Sequence, residues 1–371
     1  MNILILTAST GGGHKRAAAA IEAKIRQSHP ETTVHVVDAL KSIGKMYNKT
    51  VCGGYHFLAT KLPKLYGVFY RITDRPSILY RAVMKSNTMM TKKLLRAIEG
   101  YKPDIIIICH PFVTTMVSCL KTNGMPGVKA IALITDYDSH RTYIAPNIDA
   151  YVLAQPDMAQ KLIKEYGVDK NKIYPLGIPT FDKFTAEFSK EELCKREGLD
   201  PNKKTVLLMA GSFGVTGVLR FYEQLAKAVD DLQMIVITGK NKKLFEQMNE
   251  LVLELNTKKR TKLLYFVDNV EDYMHVSDLI VTKPGGLTVT ESLACGLPLA
   301  IYSAFPGQEL DNAEYLVGKR VAVLLDKKRG AEQIISLINS PGELEKMKEN
   351  CRSLAMPDSA GKLYQLAQKL I

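Results

Sequence analysis

The chain has 371 residues, enough for two domains of ordinary size, each with its own core, and its 46% hydrophobic and 24% charged residues suit a soluble α/β protein. Its apolar runs, such as residues 105–109, fall far short of the roughly 18 residues of a membrane span, and Met1-Asn2-Ile3-Leu4 enters a strand with no basic leader. A cytoplasmic protein without a spanning segment or cleaved signal is therefore expected. The six cysteines (Cys52, Cys109, Cys119, Cys194, Cys295, Cys351) are scattered without C-x-x-C pairs, which argues for reduced thiols and against a disulfide frame or zinc site. The net charge of +12 is concentrated, for between Lys41 and Arg96 stand twelve Lys/Arg and one acid, Asp74.

The first strand, expected over residues 2–8, runs into Ser9-Thr10-Gly11-Gly12-Gly13-His14 and an alanine-rich helix from about Lys15. This loop has neither the G-x-G-x-x-G spacing of a dinucleotide site nor the G-K-[ST] of a Walker loop. Its three glycines allow a ligand to approach the backbone closely. His14, at a helix start where the dipole disfavours imidazolium, is a candidate general base held neutral. A histidine merely near a helix cap is the plain alternative.

The basic segment also carries seven of the chain's 28 aromatic rings. Cations interleaved with rings and leucines suit an anionic membrane surface, where each Lys/Arg near the headgroups contributes about 1 kcal/mol. Lys61, Lys64, Tyr66, Phe69, Tyr70, Arg71 and Arg81 are the candidate contacts; an ordinary solvated basic face is the alternative. No nucleic-acid-binding motif accompanies the charge.

Further strands are expected at 34–38, 104–110, 129–135 and 150–154, then at 205–210, 233–238, 262–267, 278–282, 298–303 and 321–325. Their alternation with helical stretches implies parallel sheets covered by helices. The series breaks between Pro175 and Lys204, which places a first domain at 1–178 and a second at 179–345. A last helix, from about Gly342, would bring 346–371 back to the first domain. Two doubly wound domains would then face each other across a cleft, with ligands at the carboxyl ends of the strands.

Several strand ends carry chemistry. His110 reads as a core or cleft-edge histidine. In Thr135-Asp136-Tyr137-Asp138-Ser139-His140, Asp136 can orient a base or bind an acceptor, and His140 lies within reach of the same cleft. The D-x-D within it is a pattern that can hold a metal-bound diphosphate, yet no metal is expected, because a helix start farther along supplies the phosphate site. Met209-Ala210-Gly211-Ser212-Phe213-Gly214, Gly239-Lys240-Asn241 and Val267-Asp268-Asn269-Val270 are further loops where amides can meet phosphate oxygens or a pyrimidine edge.

The densest signal spans residues 283–312. Pro284-Gly285-Gly286 follows a buried strand and precedes a short helix, expected over 287–295 and closed by Gly296. Amides at such a helix start bind a pyrophosphate without an added lysine. Glu291, one turn in, can accept both hydroxyls of a ribose, and Gln308 and Glu309 suit the hydroxyls of a hexose. Thr288-Val289-Thr290-Glu291 is also a capping box, with Thr288 and Glu291 satisfying helix amides reciprocally. The ordered combination of glycine turn, glutamate, Gly-Leu-Pro strand entry and Pro-Gly-Gln-Glu loop favours a nucleotide-sugar site.

On Gly11-Gly12-Gly13-His14, Thr135-Asp136-Tyr137 with His140, Met209-Ala210-Gly211, Lys283-Pro284-Gly285-Gly286, Thr288 with Glu291, and Pro306-Gly307-Gln308-Glu309 with Asn312, the chain resembles the monogalactosyldiacylglycerol synthase and processive diacylglycerol glucosyltransferase family over nearly its whole length. The resemblance implies the two-domain GT-B fold and inverting transfer of a hexose from UDP-glucose or UDP-galactose to a diacylglycerol-type hydroxyl. It also implies peripheral attachment to the cytoplasmic face of a membrane, with the UDP-sugar as substrate and no cofactor. It puts Glu291 on the ribose, Gly285, Gly286, Leu287 and Thr288 on the diphosphate, Gln308 and Glu309 on the sugar, and Val267 and Val270 near uracil. Gly12, Gly13, Gly211, Ser212, Phe213, Lys240 and Asn312 complete the expected donor set. His14 and Asp136 fall in the catalytic centre, and Tyr137 and His140 on the acceptor side. There the chain has no tryptophan, and Tyr143 stands where members often place one.

Overall fold

The computed structural model describes residues 1–8, 12–44, 46–47, 49, 53–54, 57–58, 61–209, 217–228, 231–258 and 260–371. Among them, twelve strands form two six-stranded sheets. The first holds β1 (Asn2–Thr7), β2 (Thr33–Asp38), β3 (Ile105–Ile108), β4 (Lys129–Leu133), β5 (Ala150–Leu153) and β6 (Ile173–Pro175), in the order 2-1-3-4-5-6. The second holds β7 (Thr205–Met209), β8 (Gln233–Ile237), β9 (Thr261–Leu264), β10 (Leu279–Thr282), β11 (Leu299–Ile301) and β12 (Ala322–Leu324), in the order 12-11-10-7-8-9. Every pairing is parallel. Runs such as Ile105–Ile108, apolar at each position and fully buried, are what a strand covered on both faces requires.

The expected architecture is present, with one strand added. β6 extends the first sheet beyond β5. Its three half-buried residues end in Pro175, which lacks an amide to donate and is tolerated at a sheet edge, so nothing local marked it as a strand.

Strand order reverses between β1 and β3 and between β10 and β7, which opens a crevice at each point where the connections leave in opposite directions. The apolar interior is not divided by domain. One buried cluster runs from the first sheet through Leu287, Val289 and Leu293 to Leu207, Ile235 and Ile280 on the inner face of the second sheet. The alternate residues Val206, Leu208 and Val281 face outward into a second cluster with Tyr222, Ile334, Leu344 and Met347. The two domains therefore share a core contact through the helix Gly286–Ala294 instead of having separate cores.

The single last helix expected from Gly342 is two helices, Pro341–Leu354 and Ser359–Leu370, interrupted around Pro357. The former adds Leu344 and Met347 to the second domain's outer core, and only the latter lies on the first domain, where Leu363 and Ala367 are buried and the Tyr364 hydroxyl bonds Thr32. The two chain crossings between domains touch. A Cβ on Gly177, at φ +89°, would collide with Met356 and Ser359, and the Gln155 amide donates to the Leu354 carbonyl at 2.7 Å. Of the cysteines, Cys109, Cys119, Cys194, Cys295 and Cys351 are free, and Cys52 lies outside the described residues.

Candidate active site in the interdomain cleft

Two helices start where the strand orders reverse. Gly13–Ser28 follows β1 and Gly286–Ala294 follows β10, and their N-caps, Gly12 and Gly285, carry no side chain to satisfy the first amides. The starts lie close together. A Cβ on Gly13 would stand 3.5 Å from Leu287 Cδ2, and one on Gly286 would overlap the Thr135 carbonyl oxygen beyond β4. Glycine at 286 is thus required by the approach of the other domain's backbone, whereas space around Gly285 is open.

Between the helix starts lies a cavity of about 530 Å³, within the size range of small-molecule sites. Its walls bring together Gly12, Gly13, His14, Asp136, Lys240, Val267, Val270, Gly285, Gly286, Leu287, Thr288, Glu291, Gln308 and Glu309. Gly211, Ser212 and Phe213 lie outside the described residues. Asn312 is fully buried behind the wall. Its amide nitrogen donates to Asp136 Oδ1 at 3.2 Å and to the Pro284 carbonyl at 2.9 Å, while its oxygen accepts from the Tyr137 N–H at 2.7 Å. It braces the two domains and fixes Asp136, and does not face the cavity expected of a donor ligand.

The capping box does not form. The helix begins at Gly286, so Thr288 lies inside it, and Glu291 turns to the other domain, where its Oε1 is 2.7 Å from an Arg16 guanidinium nitrogen. Burial pushes the Glu291 carboxyl up to about 7, opposed by Arg16 and Lys183. Arg16, unremarked in the motifs, also lines the cavity. Its signal was electrostatic, since a cation in the first turn of a helix opposes the dipole and needs an anionic partner from elsewhere.

His14 is flanked by Thr135, whose hydroxyl is 3.0 Å from Nδ1 and 3.3 Å from the Tyr143 hydroxyl. Burial, more than the dipole invoked from sequence, lowers His14 to about 4, against a hydrogen bond with the Cys109 backbone. The His110 ring meets His14 edge-on at 4.7 Å, and its Nδ1 accepts from the Phe112 N–H, so it caps the helix Pro111–Asn123. Asp136 is pushed up to about 6 by burial, opposed by its bond from Asn312, with Glu309, Asp138 and Asp311 adding to the rise. Asp138 itself pairs with Lys161 at 2.6 Å. Gln308 and Glu309, the pair expected on the sugar, are also held. Glu309 accepts from Lys283 Nζ at 2.9 Å and from the Phe305 N–H at 3.0 Å, and Gln308 Oε1 accepts from the Tyr66 hydroxyl at 2.6 Å. Lys240 lies over the Phe266 ring at 4.6 Å, beside Val267.

A second cavity of about 130 Å³ shares His14, Asp136 and Gln308 with the first and is otherwise walled by Tyr66, Phe69, Tyr70, Phe112, His140 and Tyr143, among others. The helix Pro63–Thr73 closes it, because a Cβ on Gly67 would stand 2.5 Å from Pro306 Cβ, and one on Gly307, at φ +103°, 3.0 Å from Tyr66. Tyr66, Phe69 and Tyr70 therefore face inward, which corrects their reading as membrane contacts. The outward face carries exposed Leu65, Val68 and Ile72, and Ile78 begins the next helix, with Lys61, Lys64, Arg71 and Arg81 exposed around them. His140 has both ring nitrogens engaged, Nδ1 with the Thr142 hydroxyl at 2.8 Å and Nε2 with the Tyr70 carbonyl at 3.0 Å. Tyr137 is buried with its hydroxyl 2.9 Å from that of Thr290, so it ties the domains and does not touch the second cavity.

Comparison with known proteins fits this geometry. The family model described as monogalactosyldiacylglycerol (MGDG) synthase matches residues 14–180, and that described as glycosyl transferases group 1 matches 189–354. The processive diacylglycerol beta-glucosyltransferase of Bacillus pumilus is 31% identical over 369 residues, covering 96% of this chain and 92% of that protein. The protein of the same name from Bacillus subtilis is 29% identical, with the same coverage. The crystal structure of Acinetobacter baumannii MurG superposes with a TM-score of 0.67 at 14% identity, covering 99% of each chain, a likeness of fold. Sequence similarity from end to end, carried on two facing parallel-sheet domains, means that the chain belongs to the monogalactosyldiacylglycerol synthase and processive diacylglycerol glucosyltransferase family, glycosyltransferases of the GT-B fold.

Proposed function

We propose that this glycosyltransferase moves glucose from UDP-glucose to diacylglycerol or a glycosyldiacylglycerol, with inversion, at the surface of an anionic membrane. One observation carries the reading: the cavity between the two glycine-capped helix starts shares His14, Asp136 and Gln308 with an aromatic-walled pocket, beneath a helix whose outer face is apolar and basic. Glucose is chosen over galactose because the relatives are named as beta-glucosyltransferases. In this reading the diphosphate lies on the Gly285–Thr288 and Gly12–Gly13 amides, the ribose on Glu291, uracil near Val267 and Val270, and the hexose near Gln308 and Glu309.

The acceptor hydroxyl oxygen attacks the anomeric carbon as the bond to the diphosphate oxygen breaks. His14 takes the hydroxyl proton, Asp136 orients the hydroxyl, and the helix amides with Lys240 hold the departing UDP. A diphosphate beside His14 raises the imidazole from its low value toward neutrality, so donor binding activates the base. The aromatic pocket receives the glycerol end of the lipid, and Leu65, Val68, Ile72 and Ile78 enter the headgroup boundary.

The test is mass spectrometry of lipid products after supplying UDP-glucose, UDP-galactose or UDP-N-acetylglucosamine with diacylglycerol vesicles. Hexosyl-diacylglycerol from UDP-glucose is expected. Product from UDP-galactose alone would reassign the sugar, product from the N-acetylhexosamine alone would reassign the donor class, and donor binding without product would make the chain a sugar-nucleotide sensor.

A further inference from the structure

We propose that Arg16 is a positioning residue for the donor: from the N-terminal domain it holds the Glu291 carboxylate of the C-terminal domain in the orientation that receives the ribose hydroxyls, coupling nucleotide binding to the approach of the two domains. The inference rests on the donor reading above.

The contact is 2.7 Å long and crosses the cleft, from the first turn of Gly13–Ser28 to the middle of Gly286–Ala294. Glu291 is 2% exposed, and a carboxylate so buried is retained only when paired. Arg16 sits in the first turn of its helix, among amides that already carry partial positive charge, an unfavourable place for a cation unless an anion faces it. Its guanidinium remains partly open to the cavity, so a nucleotide can reach Glu291 without displacing it from a closed core.

An ionised carboxylate accepts from two hydroxyls at once, whereas a protonated one surrenders part of that capacity. The groups around Glu291 set the balance. Arg16 and Lys183, near the linker, favour the charged form; Glu271, on the helix Val270–Val276, opposes it; and Cys295, at the end of Glu291's own helix, has a thiol that burial keeps neutral. Without Arg16 the carboxyl would titrate at a higher pH.

Binding of UDP-glucose and of UDP-galactose should be measured by calorimetry without acceptor, from about pH 6 to 8.5, for wild type, Arg16→Ala, Arg16→Lys, Glu291→Gln and the Arg16→Ala/Glu291→Gln pair. Sugar nucleotides are used because free UDP carries a phosphate proton that itself titrates near pH ~6. Arg16→Ala should weaken binding roughly ten- to a hundredfold near neutrality and shift the acid limb to higher pH. In turnover assays the loss should appear in the donor KM more than in kcat. Arg16→Lys should restore the position of the limb but not the full affinity, since an ammonium keeps the charge without the planar fork. In the Glu291→Gln background Arg16→Ala should add little.

Equal affinities and superimposable pH curves for wild type and Arg16→Ala would overturn the assignment, as would full additivity in the double variant. Failure of wild type to bind either sugar nucleotide would instead overturn the donor reading itself.

Discussion

The two ends of the cleft are made of different material. At the end proposed for the donor, between the helices Gly13–Ser28 and Gly286–Ala294, glycines at two helix starts leave backbone amides beside the cavity, together with the charged side chains of Arg16, Lys240, Glu291 and Glu309. At the end proposed for the acceptor the rings of Tyr66, Phe69, Tyr70 and Tyr143 surround a smaller pocket closed by a helix whose other face is exposed. Amides fixed by strands suit a diphosphate of constant shape and charge. Rings on a surface helix suit a ligand recognised by its apolar bulk and delivered from a membrane. His14, Asp136 and Gln308 belong to both cavities, and that is where transfer would occur.

Changing those shared residues should break chemistry while leaving both ends intact. His14→Ala is expected to lower kcat by about two to four orders of magnitude with donor affinity largely kept. Unchanged turnover would remove it from the reaction. In the proposed mechanism Asp136 acts as the carboxylate, and burial pushes it up to about 6, so kcat/KM for the donor should fall as pH drops through that region. In Asp136→Asn the residual kcat/KM for the donor, which reports the donor-free enzyme where burial holds His14 at about 4, should lose that limb, and a limb that stays near 6 would assign it to another group.

The exposed face of the helix Pro63–Thr73, proposed to meet the membrane, tests the acceptor end alone. Reversing charge at Lys61, Lys64, Arg71 and Arg81 should weaken binding to anionic liposomes by about three orders of magnitude or more, at ~1 kcal/mol for each cation lost, and spare UDP-sugar binding. Leu65→Glu with Val68→Glu and Ile72→Glu should weaken it even at high salt, where charge is screened. Phe69→Ala should leave liposome binding unchanged and raise the acceptor KM. Loss of liposome binding with Phe69→Ala would mean that the inward and outward faces of this helix are not distinct.

Gly286→Ala acts on docking of the domains rather than on chemistry: overpacking against the Thr135 carbonyl, a backbone atom that cannot rotate away, should cost about 1–3 kcal/mol or more, seen as a lower Tm and weaker donor binding. Gly285→Ala, with open space around it, should keep the wild-type Tm. Equal melting of the two would show that the domains do not meet at this point.

The donor end was legible because its chemistry is local. A strand, a glycine turn and a helix start are consecutive residues, and twice a helix start with a glycine N-cap falls at a strand-order reversal. The acceptor end was not, because whether Tyr66 or Leu65 faces a ligand depends on what packs against the helix, and Pro306 and Gly307, some 240 residues away, make that choice. Thr288 and Glu291 show the same limit, since their spacing permits a capping box and only Arg16 across the cleft decides against it.

Hydrophobic periodicity and glycine placement by themselves determined the parallel α/β sheets, the two-domain division of the chain and the positions of the glycines at the two helix starts, since these follow from interactions within a few residues. The tertiary structure decided which side chains meet across the cleft: Arg16 with Glu291, Asn312 with Asp136, Tyr66 with Gln308. Those pairs join residues 242 positions apart or separated by comparable stretches, and their burial and orientation depend on how two sheets dock, a relation that no local pattern encodes.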